Sequence, residues 1–148
     1  MIYLGTDHRG YKMKEELREY LTSRGYQVVD LGAKSEEPGD DYPGYAEKVA
    51  RAVVTDPNNR GILLCGSGAG VCIAANKING VRAAVAWNEG VSRAIRNDDN
   101  ANVLCLPADQ ITAVDAKKIV QVFLDASFGG EERYKRRLRQ IQEIETKH

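Results

Sequence analysis

A glycine-rich segment, residues 60–78, limits what this chain can fold into more than any other part of the sequence. The apolar and small residues 61–64 predict a buried strand that ends at Cys65. Glycine then occupies every second position up to Gly70, and a helical pattern follows. A strand that enters a helix through such a turn leaves several backbone N–H groups unpaired near the positive end of the helix dipole. The segment therefore predicts a strand–turn–helix unit whose turn could bind an anion.

Two side chains could add chemistry to this turn. Cys65 stands where the strand ends, and Ser67 lies within the turn itself. A thiol beside unpaired N–H groups could take part in a reaction that develops negative charge on an oxygen atom. The same pattern could also arise from the packing of a helix on a sheet, with Cys65 as an ordinary buried thiol.

Strand and helix patterns alternate along the whole chain. Such alternation predicts right-handed crossovers and a parallel sheet with helices on both faces. We expect a three-layer α/β/α sandwich with a five-stranded, Rossmann-like sheet, built as one domain of 148 residues. The predicted strands are residues 1–6, 27–31, 61–64, 81–87 and 102–106, and the predicted helices are residues 10–24, 43–55, a run that reaches residue 78, 89–95, 111–126 and 131–147.

Ligands of such sheets bind beyond the carboxyl ends of the strands. The residues that we expect at this edge include Asp7 and His8 after the first strand and the glycine-rich turn after the third. Asn88 follows the fourth predicted strand, and residues 107–109 follow the fifth.

Composition excludes several classes of function. Lysine plus arginine and aspartate plus glutamate both number 21, so a net charge of zero argues against a general nucleic-acid or anionic membrane surface. Neither a membrane-spanning apolar run nor a signal-peptide pattern is evident, and three cysteines without a C-x-x-C motif fit a reducing cytoplasm. Because His8 and His148 are the only histidines, we expect no metal site of the usual His/Cys kind.

Two nucleotide-binding motifs are incomplete in this sequence. Residues 5–12 have the outer glycine spacing of a P-loop but lack its Gly-Lys-Ser/Thr ending, so nucleotide hydrolysis is not expected. The glycines of the turn at 66–70 have the wrong spacing for a dinucleotide fingerprint and follow the third strand instead of the first. We therefore do not expect a nicotinamide dehydrogenase.

Four collinear groups of residues resemble ribose-5-phosphate isomerase B, a family that also includes the galactose-6-phosphate isomerase subunits. The resemblance spans nearly the whole chain. It implies a cytoplasmic homodimer, with assembly to a tetramer left open, that needs no metal or cofactor. The implied activity is the interconversion of aldose and ketose sugar phosphates through an enediolate. The matching groups are Asp7-His8-x-Gly10, Asp41-Tyr42-Pro43, Cys65-Gly-Ser-Gly-x-Gly70 with Ile73-Ala-Ala-Asn-Lys77, and Asn102-Val-Leu104.

The resemblance assigns chemical roles to these positions. Cys65 would be the base that takes a proton from the carbon beside the carbonyl, and a thiol ionises more readily at a helix N-terminus. Asp7 would handle the proton of a sugar hydroxyl, although from the residues alone it could also cap a loop. The other matched groups would bind the oxyanion, the sugar or its phosphate: the Ser67 hydroxyl, the N–H groups of Gly66, Gly68, Ala69 and Gly70, and the side chains of His8 and Tyr42.

Arg133 and Arg137 lie four residues apart and hence on one face of the last predicted helix. They match the arginines that bind phosphate in the family, where a guanidinium meets the dianion as a fork of donors. Without the resemblance, this charged stretch would be interpreted as a solvated helix face. Glu131 and Glu132 also separate the preceding glycine pair from the first arginine, which departs from the family pattern.

Two further departures concern the substrate. Asp98 stands where the family usually has the histidine that opens the furanose ring, and Asp99 stands where it has an asparagine. Asp109 replaces an arginine that usually binds phosphate, and Arg9 could restore that charge. An ionised aspartate cannot donate a proton, so we expect slow ring opening at Asp98 unless burial beside Asp99 raises one of the two pKa values.

The sequence therefore does not identify the substrate. Ribose 5-phosphate and ribulose 5-phosphate are the default pair. The alternatives are a hexose 6-phosphate or a tetrose phosphate that stays open-chain, which would not need the missing histidine. A different class of function is a non-catalytic sugar-phosphate-binding homologue. Cys65, Ser67 and Asp7 speak for catalysis, whereas Asp98 and Asp109 speak for the non-catalytic alternative.

Overall fold

A computed structural model describes residues 1–147 and contains five strands and six α-helices in alternation. A short 3₁₀ turn, His8–Gly10, follows the first strand. The strands are β1 (Ile2–Thr6), β2 (Val28–Asp30), β3 (Arg60–Cys65), β4 (Ala83–Val85) and β5 (Val103–Pro107), and the helices are α1 (Tyr11–Ser23), α2 (Tyr42–Val53), α3 (Ala69–Ala75), α4 (Glu89–Asn97), α5 (Ala113–Asp125) and α6 (Glu132–Thr146).

The five strands form one parallel sheet in the order β2-β1-β3-β5-β4. Helices α1, α4 and α5 cover one face, and helices α2 and α3 cover the other. The predicted three-layer α/β/α sandwich with a Rossmann-like sheet is confirmed.

The central strand β3 supplies apolar side chains to both helical layers because successive side chains of a strand point to opposite faces. Ile62 and Leu64 pack with α1 and α5, whereas Leu63 packs with α2 and α3. All three side chains are fully buried, and each such burial contributes about 1.5–3 kcal/mol relative to exposure. This double burial explains why the segment appears in the sequence as an unbroken apolar run.

The fourth strand is shorter than predicted, three residues instead of the seven of residues 81–87. Side-chain amides take over the backbone bonding at its start. Asn102 accepts from the Arg82 N–H at 2.8 Å, and Asn76 accepts from the Ala83 N–H at 2.8 Å. Helix α3 likewise ends at Ala75 rather than at residue 78. The next two backbone N–H groups, of Lys77 and Ile78, bond to carbonyls only three residues back.

A buried lysine holds the segment that follows β2, near the predicted ligand-binding edge of the sheet. Lys14 of α1 is 1% exposed, and its ammonium group donates to Asp30 at 2.7 Å and to the Ala33 carbonyl at 2.8 Å. The two bonds hold the end of β2 and the start of the following loop against α1. A buried ammonium needs such partners, since an unpaired buried charge is costly.

Helix α6 lies outside both core clusters, and all of its residues stay at least partly exposed. It contacts the amino ends of the strands, where Glu145 accepts a hydrogen bond from the Gly80 N–H at 3.1 Å. Among residues 1–147, no helix has the length and apolar character required to cross a membrane.

Candidate active site

The strand order reverses direction between β1 and β3, which lie side by side in the sheet. In open parallel sheets, ligands bind at the carboxyl edge at this switch point. The topology therefore brings the residues after β1, Asp7 and His8, next to the turn after β3 that begins at Cys65. These were the positions that the sequence predicted for this edge.

Backbone hydrogen bonds from the residues after β5 hold the turn after Cys65, while two N–H groups of the turn stay unpaired among the described residues. The Cys65 carbonyl accepts from the Ala108 N–H at 2.9 Å, and the Gly66 carbonyl accepts from the Asp109 N–H at 3.0 Å. Within residues 1–147, the N–H groups of Ser67 and Gly68 donate to no protein acceptor. The turn can thus offer free donors to an oxyanion beside the thiol of Cys65.

Gly68 adopts a left-handed conformation, with φ of +75°, which lets the chain enter α3. The Ser67 hydroxyl accepts a hydrogen bond from the Ala69 N–H at 3.2 Å, so it caps the turn. Cys65 is only 6% exposed, whereas Ser67 and Ala69 are exposed. A substrate would therefore meet the turn first and the thiol beneath it.

Two other glycines of the turn make room for neighbouring side chains. A Cβ atom at Gly66 would lie 2.4 Å from the guanidinium carbon of Arg9, and one at Gly70 would lie 2.5 Å from Cζ of the Tyr42 ring. The side chains of Arg9 and Tyr42 therefore pack directly against the turn and border the opening above it.

Replacing Gly70 with alanine should consequently displace the Tyr42 ring without harming the fold. Gly70 lies in the first turn of α3 and has no left-handed φ, so alanine suits its backbone. We expect kcat/KM to fall on the order of 10- to 100-fold, since small misplacements of contact groups are costly in catalysis. The free energy of unfolding should be unchanged or slightly higher. Gly44→Ala is the matched control, because a Cβ there meets nothing within 4 Å. Equal activity of the two variants would remove Tyr42 from the site.

An acidic group and an imidazole lie together at the end of β1. Asp7 is 4% exposed, and its side chain accepts from the Arg9 N–H at 3.1 Å. The His8 ring nitrogen Nδ1 lies 2.7 Å from Oδ1 of Asp40, and the same oxygen accepts from the His8 N–H at 3.0 Å. Burial raises the pKa of Asp40, but the hydrogen bonds from His8 outweigh this, so the pKa is lowered overall.

Asp7, His8 and Asp40 are also the one group in the described part of the chain whose potential metal ligands converge, with one atom of each within 4.8 Å of the others. A carboxylate–imidazole–carboxylate set could hold a divalent cation in principle. His8 and Asp40 already face each other at hydrogen-bond distance, however, and we interpret them as a hydrogen-bonded pair.

Arg9 forms an ion pair with Asp109 across the mouth of the turn. Both side chains are well exposed, so the pair contributes little to stability. Its effect is to hold the guanidinium of Arg9 over Gly66. Asp109, which stands where the family has an arginine, thus lies beside a cation that follows β1, two strands away from β5 in the sheet.

The other predicted site residues lie at the opposite edge of the sheet. Helix α4 starts at the carboxyl edge and ends at the amino edge, where Asp98 caps it and Asp99 follows. The charge of Asp98 acts on Arg133, and that of Arg137 acts on Asp99, so these four residues form a second group. Strands of five or six residues span roughly 17–20 Å, so one chain does not bring this group to Cys65.

Burial and the nearby charge of Asp98 raise the pKa of Asp99, while Arg137 partly offsets the effect. Arg133 pairs with Glu131, one of the two glutamates that interrupt the family pattern. Both arginines are exposed on α6. This exposure agrees with the alternative interpretation of the charged stretch as a solvated helix face. A role for them at Cys65 would require a second chain.

Comparison with known proteins gives the family. The sequence model of the family described as Ribose/Galactose Isomerase matches residues 2–141. This chain belongs to that family. The crystal structure of ribose-5-phosphate isomerase B from Mycoplasma genitalium with bound ribulose 5-phosphate superposes with a TM-score of 0.96 and 41% identity, covering 99% of this chain and 97% of that one.

Two further relatives agree. The ribose-5-phosphate isomerase B of Clostridium thermocellum has a TM-score of 0.93 and 42% identity, with 99% of this chain and 97% of that chain covered. The ribose-5-phosphate isomerase B of Mycobacterium leprae is 37% identical over 147 residues, 99% of this chain and 91% of the relative. The predicted membership of the ribose-5-phosphate isomerase B family is confirmed.

The structure adds one residue that the sequence analysis did not single out. Asp40 lies in an exposed loop, 32 positions from His8, and no spacing rule links the two. Only the folded loop after β2 shows that this carboxylate approaches the imidazole.

Proposed function

We propose that this chain interconverts ribose 5-phosphate and ribulose 5-phosphate. The observation that carries the proposal is the thiol of Cys65 beneath a turn with free N–H donors, at the switch point of the sheet. The Mycoplasma genitalium relative, which is similar over the whole length, holds ribulose 5-phosphate.

The reaction moves the carbonyl from C1 to C2. Cys65, as a thiolate, takes the proton from C2 of the open-chain aldose, and the electrons form an enediolate. The N–H groups of the turn and the Ser67 hydroxyl stabilise its oxygen, and Asp7 passes the hydroxyl proton between O1 and O2. Return of a proton to C1 gives the ketose. His8, Tyr42 and Arg9 border the same opening and contact the sugar or its phosphate.

The active form is a homodimer with composite sites, which could assemble further into a tetramer. Asp98, Asp99, Arg133 and Arg137 of one chain then meet the Cys65 turn of the other, and the arginines bind the phosphate. An uncovered apolar surface supports this assembly. Ile73 on α3 is 63% exposed and Trp87 after β4 is 57% exposed. The edge strand β4 lacks a neighbour on one side within the described chain.

The remaining expectations belong to the same proposal. Residues 1–148 form one domain that works in the cytoplasm, where the three free thiols would stay reduced. The chemistry of an enediolate held by N–H donors proceeds without a resident metal or cofactor.

A panel of sugar phosphates with product detection by NMR tests the proposal. We expect ribose 5-phosphate to give ribulose 5-phosphate with a higher kcat/KM than an aldotetrose 4-phosphate or a hexose 6-phosphate. Asp98, in the place of the family's histidine, favours one alternative, a substrate that needs no ring opening. A higher kcat/KM on the tetrose phosphate would select that alternative. Binding of every substrate without any product would identify a non-catalytic homologue.

A further inference from the structure

Three arginines approach one another at the amino edge of the sheet. Arg60 is the first residue of β3, Arg82 directly precedes β4, and Arg96 lies in the last turn of α4. The backbone of Asn102 links the two strand starts, since its carbonyl accepts from the Gly61 N–H and its own N–H donates to the Arg82 carbonyl. None of the three arginines belongs to the group that the proposed function assigns to the substrate.

No carboxylate pairs with these three charges. Within residues 1–147, none of the three arginines forms an ion pair. Arg60 donates only to backbone carbonyls of the preceding turn. Arg82 and Arg96 both donate to the neutral Asn100, to its carbonyl at 2.8 Å and to its side-chain oxygen at 2.9 Å respectively. The charge of Glu145 on α6 reaches Arg82 only from beyond ion-pair distance. Because a buried charge is costly without an opposite charge, the arrangement favours a bound anion.

Arg96 is the most deeply buried of the three, with 4% of its surface exposed. Its Nε is buried and has no hydrogen-bond partner in the described part of the chain. The ring centre of Phe123 lies 5.8 Å from the guanidinium carbon, a contact that offsets only part of the cost of burial. Burial, together with the charges of Arg60 and Arg82, lowers the pKa of Arg96 to about 10. All three groups therefore stay charged at neutral pH while they repel one another.

A cavity of about 290 Å³, the volume of roughly ten water molecules, opens at this edge of the sheet. Within residues 1–147, the Nη2 groups of Arg60 and Arg82 donate to no protein acceptor. The one carboxylate of the lining, Asp56, is exposed and accepts from the Asn58 N–H instead of pairing with an arginine. The polar side chains of the lining are Arg60, Arg82, Asn100, Asn102 and Asp56.

We propose that Arg60, Arg82 and Arg96 form an anion site that binds a phosphate group, either free phosphate or the end of a small phosphate ester. Arg60 and Arg82 meet the phosphate oxygens as forks of donors, and Arg96 contributes its charge. Three uncompensated cations match a dianion better than a monovalent ion. The site lies at the edge of the sheet opposite to Cys65, and its occupation stabilises the folded chain whatever reaction the chain catalyses.

Thermal unfolding in buffers of equal ionic strength, with phosphate in place of chloride, tests the site. For a Kd of about 1 mM, inorganic phosphate at about 10 mM should raise the Tm of the native chain by roughly 3–6 °C. Arg60→Gln removes one fork of donors and should reduce this rise to less than about 1 °C. Arg93→Gln is the matched control and should keep the full rise, because Arg93 is an exposed arginine of α4.

Asn100→Asp tests the same site by adding the missing charge instead of removing a donor. Aspartate has the shape of asparagine, can accept the same hydrogen bond from Arg96, and tolerates the left-handed backbone at this position, where φ is +48°. We expect its Tm in chloride buffer to exceed that of the native chain and its response to phosphate to be largely lost. Gln27→Glu adds the same charge at an exposed position before β2 and should do neither.

Two further arms identify the ligand and separate this site from the proposed substrate site. A larger rise with glycerol 2-phosphate than with inorganic phosphate, lost in Arg60→Gln, would identify an ester as the ligand, and an equal or smaller rise would identify free phosphate. Arg137→Ala, which removes a proposed substrate contact, should keep the native response to phosphate.

Three results would overturn the proposal. A response that is lost in Arg137→Ala and kept in Arg60→Gln would place the phosphate in the substrate site. An equal rise in every variant would be a general salt effect. No rise in the native chain would mean that no phosphate binds between the arginines. Because no arm measures turnover, failure of the proposed function would leave these results unchanged.

Discussion

Replacing Cys65 with alanine is expected to lower kcat for ribose 5-phosphate roughly 10²–10⁴-fold, the usual loss when a general base is removed. The change deletes one sulfur atom beneath the turn and leaves its N–H donors in place, so the Kd for ribulose 5-phosphate should stay nearly constant. Steady-state kinetics and calorimetric titration measure the two quantities. Near-native turnover would remove the thiol from the mechanism.

Cys72 provides a demanding control for this prediction. A hydrogen bond with Cys105 lowers the pKa of Cys72 to about 7, although burial opposes the shift, so this thiol ionises more readily than an ordinary one. Its Sγ lies 3.3 Å from the Ala83 carbonyl, on the side of α3 that faces β4 and away from the turn. If catalysis depends on the position of the thiol rather than on its pKa, Cys72→Ser should keep native turnover. A large loss in Cys72→Ser with full activity in Cys65→Ala would exchange their roles.

Mixing two inactive variants is expected to restore activity. Cys65→Ala lacks the proposed base at one edge of the sheet, and Arg137→Ala lacks a proposed phosphate ligand at the other. Because the proposed site joins the two edges across a dimer, each mixed dimer contains one intact site. Random pairing of equal amounts should therefore give roughly a quarter of native activity, since half of the dimers are mixed and each has one working site.

Coexpression of the two variants with different affinity tags, followed by purification through both, isolates the mixed dimer for assay. No recovery from two inactive parents would mean that the arginine acts within its own chain. Full activity of Arg137→Ala alone would remove this residue from the site. An active monomer in sedimentation at micromolar concentration would contradict the composite site altogether.

The sequence predicted the fold because each local pattern agreed with the others. The apolar run before Cys65 predicted a buried strand, and the structure buries it on both faces. Gly25 ends α1 with a φ of +89°, as a glycine after a helix commonly does. Strand β4 was predicted too long. Its flanking apolar residues have the pattern of a strand, although side-chain amides replace backbone hydrogen bonds between strands there. The bonds from Asn76 and Asn102 to the chain around β4 have no signature in the sequence.

The candidate site was predictable where it follows strand ends. Asp7, His8 and the turn after Cys65 are brought together by topology alone, since they end neighbouring strands. The pairing of His8 with Asp40 depends on the path of a loop, which local pattern does not encode. The separation of Asp98 from Cys65 depends on the direction of α4, and the predicted roles of Asp98 and Arg137 stay predictions that require a second chain.

The most direct measurement of the central claim is NMR of the native protein with ribose 5-phosphate in D₂O. An enediolate formed by a protein base exchanges the transferred hydrogen with solvent at least in part. We predict ribulose 5-phosphate that carries deuterium at C1, formed at a rate that Cys65→Ala lowers roughly 10²–10⁴-fold and Cys72→Ser leaves unchanged. Ribulose 5-phosphate without any deuterium would indicate a hydride shift, and absence of ribulose 5-phosphate would contradict the proposed activity.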